Sequence, residues 1–186
     1  MGETAMPEDS NGTTYSFDVC GRCKIFCCQD AKPPLTENRK KIIKQYLEKQ
    51  KINVEKPFAK ASYSYPAVDE QLYCRLFDKK TGKCCVHVVK PETCVAGPIT
   101  FDINFSTGKV EWFLKKSEIC PYAGALYDNK GAFEKHFDVA KKQLTSLIGQ
   151  LDADELRAIV KIEEPYTFKV GEDDLPLDVA KRLGLK

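Results

Sequence analysis

The chain has 186 residues, 42% hydrophobic and 30% charged, which is the composition of one ordinary globular domain or one with a small appendage. Lys+Arg 29 against Asp+Glu 27 leaves a formal net charge of +2, so no overall field selects for nucleic acid or an anionic membrane. No apolar stretch approaches the ~18 residues of a membrane span, and the unusual feature is Cys 9, an odd count that leaves one thiol unpaired in any fully oxidised scheme.

Residues 1–14 hold mainly Glu, Asp, Ser, Thr, Asn and Gly and read as a disordered lead. They have neither the basic n-region nor the apolar h-region of a signal peptide, and Met6 stands where a myristoylation motif wants Ser or Thr. A reduced, cytoplasmic location is expected, where clustered cysteines more often bind metal or do redox chemistry than form disulfides. Tyr15 to Val19 alternates into the first cysteines, and Pro33-Pro34 closes the loop that follows. Thr36 is a good N-cap for a helix to about Lys51, with Ile42, Ile43, Tyr46 and Leu47 at helical spacing. Arg39, Lys40, Lys44 and Lys49 fall on its other face, read first as a solvated surface and second as a dock for acidic partners.

From Lys60 to Leu114 the pattern turns to short strands. Ala61 to Tyr65, Leu72 to Phe77, Val86 to Val89, Ile99 to Phe105 and Val110 to Leu114 are the candidates. Lys80-Thr81-Gly82-Lys83 and Ser106-Thr107-Gly108-Lys109 predict hairpin turns. In the second hairpin Phe101, Ile103 and Phe105 match Val110, Trp112 and Leu114, giving one apolar face. A long amphipathic helix is predicted from about Lys130 to Leu151, with Phe133, Phe137, Ala140, Leu144, Leu147 and Leu151 as its core stripe. His136, beside that stripe, is expected at the helix surface. Asp152 or Asp154 caps a further short helix, and the tail is acidic and then weakly helical from Leu177 to Leu183. The fold class expected is α+β: a small antiparallel sheet with packed helices and cysteine-rich metal-binding loops. Its divisions are a lead at 1–14, a cysteine-cluster metal-binding domain at 15–151 and a helical C-terminal extension at 152–186.

Cys20-Gly21-Arg22-Cys23 and then Cys27-Cys28 spell C-x2-C-x3-C-C. A C-x2-C spacing lets two thiolates converge on one ion or cluster, with loop amides free to hydrogen-bond the sulfurs. Cys74, Cys84, Cys85, Cys94 and Cys120 follow near strand ends or turns. Soft thiolates select zinc, copper(I) or iron–sulfur clusters over magnesium or calcium. Free cysteine is also a small buried hydrophobe, a reading that suits one member of each doublet but not the whole set. His87, three residues after Cys84, is a candidate mixed ligand, though a strand residue facing solvent is the preferred reading. No P-loop, G-x-G-x-x-G or G-x-S-x-G is present. Glu163-Glu164 and Glu172-Asp173-Asp174 read as solvated charge runs.

These residues together resemble the YkgJ-type CxxCxxCC cysteine-cluster family of zinc- or iron-chelating domains. The family pattern has a leading C-x2-C-x2-C-C, a hairpin cysteine, a segment like C-x-I-Y-x-x-R-P-x-x-C and a late lone cysteine. Counting back from Pro91 places the first cysteine of that segment on Cys84, so Cys85 is the extra one. This sequence departs from the pattern in one added residue before Cys27, in Lys90 for the arginine and in His87 for the tyrosine. Lys90 keeps the charge but loses the planar fork of arginine. The resemblance covers about residues 15 to 125 and implies metal ligands at Cys20, Cys23, Cys27, Cys28, Cys74, Cys84, Cys94 and Cys120.

Ligands spread over about a hundred residues and a C-P step at Cys120-Pro121 favour iron–sulfur, one or two clusters of the 4Fe-4S type, over zinc. The first expectation is an electron-transfer or accessory/maturation factor working with another protein or complex. The alternatives are a zinc-stabilised interaction module without redox role and a cluster-dependent protein-modifying enzyme. A relative of the family is a flagellin lysine methylase, but no nucleotide loop supports that chemistry here, and binding is preferred over catalysis.

Overall fold

The computed structural model describes residues 27–185; Tyr15 to Val19, Cys20 and Cys23 lie outside them. The architecture is α+β, with six helices and antiparallel sheets of two, two and three strands among the described residues. Its two apolar clusters are formed by successive halves of the chain.

The first half opens on helix α1 (Glu37–Lys49). Thr36 caps it, its hydroxyl accepting from the Arg39 amide at 3.0 Å, and Ile43 and Leu47 are buried beneath it. Strands β1 (Phe58–Lys60) and β2 (Ser64–Pro66) form a hairpin. The expected strand at Ala61 to Tyr65 is thus mostly the turn between them. Strands β3 (Phe77–Asp78) and β4 (Lys83–Cys84) pair around Gly82, whose φ of 67° suits glycine as predicted. Of the expected strand at Leu72 to Phe77 only Phe77 joins a ladder, while Tyr73 and Cys74 make single bridges to Gln29 and Val68. Val86 to Val89, expected as a strand, contains a 3-10 turn (His87–Val89) in which the Val89 amide closes on the Val86 carbonyl at 2.9 Å.

The second half begins with the short helix α2 (Glu92–Ala96), followed by β5 (Ile99–Asn104) and β6 (Lys109–Lys115), paired as predicted around Gly108. Ile99, Phe101 and Ile103 alternate into the core opposite Leu114, Trp112 and Val110. Phe105, expected to continue that face, lies beyond the strand in the turn and is 41% exposed. Helices α3 (Pro121–Asp128), α4 (Lys130–Gln150) and α5 (Ala153–Ile159) follow. The stripe Ala140, Leu144, Leu147 and Leu151 of α4 and the residue after it is buried, and Asp152 closes a capping box on α5.

The acidic tail contains an element that charge patterning hid. Strand β7 (Thr167–Asp174) pairs antiparallel with β6, and helix α6 (Leu177–Leu183) packs Val179 and Leu183 into the same core. Asp173 accepts from the buried Trp112 indole N–H at 2.7 Å, so this part of the run is not simply solvated. Lys109 and Lys169 hold the Glu172 carboxyl down to about 2, which lets an acidic strand sit at a sheet edge. Gly171 stands where a Cβ would meet the Phe137 ring at 3.2 Å, a close approach that only glycine permits without a shift.

His136 is not at the surface. It is 2% exposed, with Nε2 3.0 Å from the Ala96 carbonyl and its ring edge-on to Tyr122. Burial lowers its pKa from the ordinary histidine value, so the unfolded chain takes up a proton that the folded protein refuses. Stability from this group is present above about pH 6.5 and is lost as pH falls below it, approaching about 1.4 kcal/mol per pH unit. Urea denaturation at pH 7 and pH 5 should show that loss, and His136→Gln should flatten it.

Candidate metal centre

The cysteine-bearing segments are fastened to one another through the backbone. The Cys74 amide donates to the Cys28 carbonyl at 2.8 Å, beside the Gln29–Tyr73 bridge. The Cys74 carbonyl accepts from the Phe77 amide at 2.9 Å, and Phe77 stands directly opposite Cys84 in the β3–β4 ladder. Cys94 enters from α2, one turn after Lys90-Pro91. Cys28, Cys74, Cys84 and Cys85 pack with Leu35, Ile43, Leu47, Leu76 and Val86 in the smaller apolar cluster.

Four of these thiols are coupled to one another electrostatically. Burial first, and then Cys84, Cys74 and Cys27, push Cys28 up to about 12. Cys94 is raised by burial and then by Cys84, Cys28 and Cys74, and Cys84 by burial and by Cys74. Cys74 is raised chiefly by burial and further by Cys85, while a backbone hydrogen bond from Leu76 lowers it. Lys90, 9% exposed, opposes the rise at Cys28, Cys84 and Cys94. The Cys94 side chain nevertheless keeps solvent-accessible surface.

The other predicted positions differ. Cys27 is exposed next to Cys28. Cys85 is raised by burial, then by Cys84 and, more weakly, Asp78; neither Cys28 nor Cys94 contributes. Cys120 is half-buried against the larger core at the start of α3. His87 is half-buried on the 3-10 turn, not on a strand. All described cysteines are free thiols. Among the described residues no three His, Cys, Asp or Glu side chains are arranged to hold an ion as they stand.

The donor set fits a soft cation. The four coupled thiols are neutral alone, first because burial disfavours the thiolate and then because each thiolate would repel the next; a thiophilic ion reverses that balance by displacing their protons. Lys90 then offsets part of the negative charge that a four-thiolate centre accumulates. Oxygen-seeking magnesium or calcium finds no matching ligand shell in these sulfurs. Tyr73 and Phe77 stack at 5.6 Å beside Cys74 and shield its flank.

One group behind the site has no sequence signature. Glu92, two residues before Cys94, is 4% exposed and accepts from Arg39 Nε of α1 at 2.9 Å. Arg39 also donates to Gln143 Oε1 of α4 at 3.3 Å. This clamp joins three helices across the two halves, and only the closeness of Glu92 to Cys94 along the chain hints at it.

A family model, CxxCxxCC, described as "Putative zinc- or iron-chelating domain", matches residues 19–121. The chain belongs to the CxxCxxCC family. All nine cysteines of this CxxCxxCC protein fall within the matched span, as do Lys90, Glu92 and α1. Family membership supports metal binding, with zinc or iron as the metal. Neither a curated protein nor a solved structure matches the chain. None of the helices is long and apolar enough to cross a membrane among the described residues.

Proposed function

We propose that this CxxCxxCC protein holds a cysteine-ligated iron–sulfur cluster and serves as an electron-transfer or accessory/maturation factor for another protein in a reducing, cytoplasmic compartment. The reading is supported by the electrostatic coupling that links Cys28, Cys74, Cys84 and Cys94, with the buried Lys90 opposing the rise at three of them. In this proposal Cys20, Cys23, Cys27 and Cys120 complete the ligand set, and Cys85 stays a packing residue. A bound cluster supplies one-electron chemistry. The chain's own residues do the rest: backbone ladders hold the sulfurs at fixed spacing, the Tyr73–Phe77 stack limits water, and Lys90 favours the more negative state.

A second reading, a structural zinc site, is supported by the same four coupled cysteines, since four thiolates suit a tetrahedral ion. Protein purified anaerobically should be brown, with broad visible charge-transfer absorbance and with iron and labile sulfide on analysis. A colourless protein carrying stoichiometric zinc would overturn the cluster and leave the zinc-stabilised module.

A further inference from the structure

On a flank of α1 next to its core-facing side lies an open groove of about 670 Å³, lined by Lys40, Lys41 and Lys44 of the helix and by Lys56, Phe58 and Lys60 of the β1 segment. Residues 37–60 carry eight Lys or Arg against three Glu, a local charge of +5 in a chain whose total is +2. Lys40 pairs with Glu37 and donates to Ser64 Oγ at 3.2 Å, Lys44 lies 5.9 Å over the Phe58 ring, and Lys60 is 3.9 Å from Glu155. Lys41 and Lys56 are exposed, with no ion-pair partner among the described residues.

The groove opens on a sheet edge. In the β1–β2 hairpin the Ala61 amide donates to the Tyr63 carbonyl at 3.0 Å, and the Ala67 amide to the Pro57 carbonyl at 2.9 Å. With Ala59 opposite Tyr65, the alternation of an antiparallel ladder turns the amide and carbonyl groups of Phe58 and Lys60 outward. On the far side of the hairpin the outward Ser64 carbonyl is taken by the Leu35 amide at 2.8 Å. On the β1 side no described backbone group takes the corresponding positions. An edge with its hydrogen-bonding groups unpaired is a template for another strand.

We infer that this groove binds an extended acidic segment of a partner protein, which adds to β1 as a third strand through Phe58 and Lys60 while its carboxylates meet Lys41 and Lys56. Strand addition supplies main-chain affinity and the lysines select the charge. Nucleic acid fits less well: Glu37 and Glu48 interrupt the basic lining, and Lys44 covers the Phe58 ring that base stacking would need. This inference does not rest on the metal reading, and the same α1 also packs Ile43 and Leu47 against the cysteine-bearing cluster.

The test is fluorescence anisotropy of the full chain, as purified, with a labelled ten-residue peptide alternating glutamate and valine. Saturable binding is expected, weakened at least about tenfold by the exposed-site variant Lys41→Glu/Lys56→Glu and by raised salt. The same peptide N-methylated at alternate amides should lose binding to the unaltered protein by a similar factor, a comparison in which folding plays no part. Equal binding of the methylated peptide, indifference to charge reversal, or tighter binding of a ten-nucleotide single-stranded RNA would each overturn the inference.

Discussion

Cys94→Ser is expected to empty the metal centre and to lower stability by about 4 kcal/mol when the wild-type site is held at a thousandfold excess of metal over Kd. The cost is large because the ion binds the folded arrangement and not the unfolded chain, so site energy is folding energy. Cys94 is one of the four coupled thiols, and in the proposed site its serine variant offers a hard oxygen in place of a soft ligand. Cys85→Ser, by contrast, changes a half-buried group coupled to Cys84 and Cys74 but not to Cys28 or Cys94, and on the proposed ligand register it should keep its metal. Metal content by elemental analysis and urea titration with and without chelator separate the two. Retention of metal by Cys84→Ser together with its loss in Cys85→Ser would show that the ligand register around Pro91 is shifted by one.

Arg39→Met should destabilise the fold by about 3–5 kcal/mol, because it leaves the Glu92 carboxylate buried and uncompensated. One oxygen of Glu92, Oε2, already has no hydrogen-bond partner among the described residues, so the Arg39 contact at Oε1 carries the compensation. Replacing both partners, Arg39→Met with Glu92→Leu, should recover most of the loss, since an apolar pair of similar volume removes the desolvation cost. A double-mutant cycle in urea measures the coupling directly. Additive effects of the two single changes would show that the pair contributes no more than its packing.

Much of this was legible in residue order because the governing interactions are local. The Thr36 cap, the Gly82 and Gly108 turns and the long α4 stripe depend on neighbours within a few positions, and each appears as expected. Elements fixed by distant partners were hidden. The stretch from Gly171 reads as charged tail until Lys109 and the Trp112 indole face it from β6. His136 looks like a helix-surface residue until the Ala96 carbonyl, forty positions away, gives its ring a buried partner. At the site, the family resemblance named eight cysteines, four of which (Cys28, Cys74, Cys84 and Cys94) are electrostatically coupled, but residue order had no way to find the Arg39–Glu92–Gln143 clamp.

The two apolar clusters do not interleave along the polypeptide: one draws on residues up to Val89, the other on residues from Ala96 to the final helix. Synthesis therefore delivers them in sequence. The sulfur-bearing half, with Cys94 just behind it, leaves the ribosome while the larger core still waits for Leu175, Val179 and Leu183. The first apolar cluster can accordingly assemble on a nascent chain before the second has closed, whereas Cys94 and Cys120 arrive only with the second half.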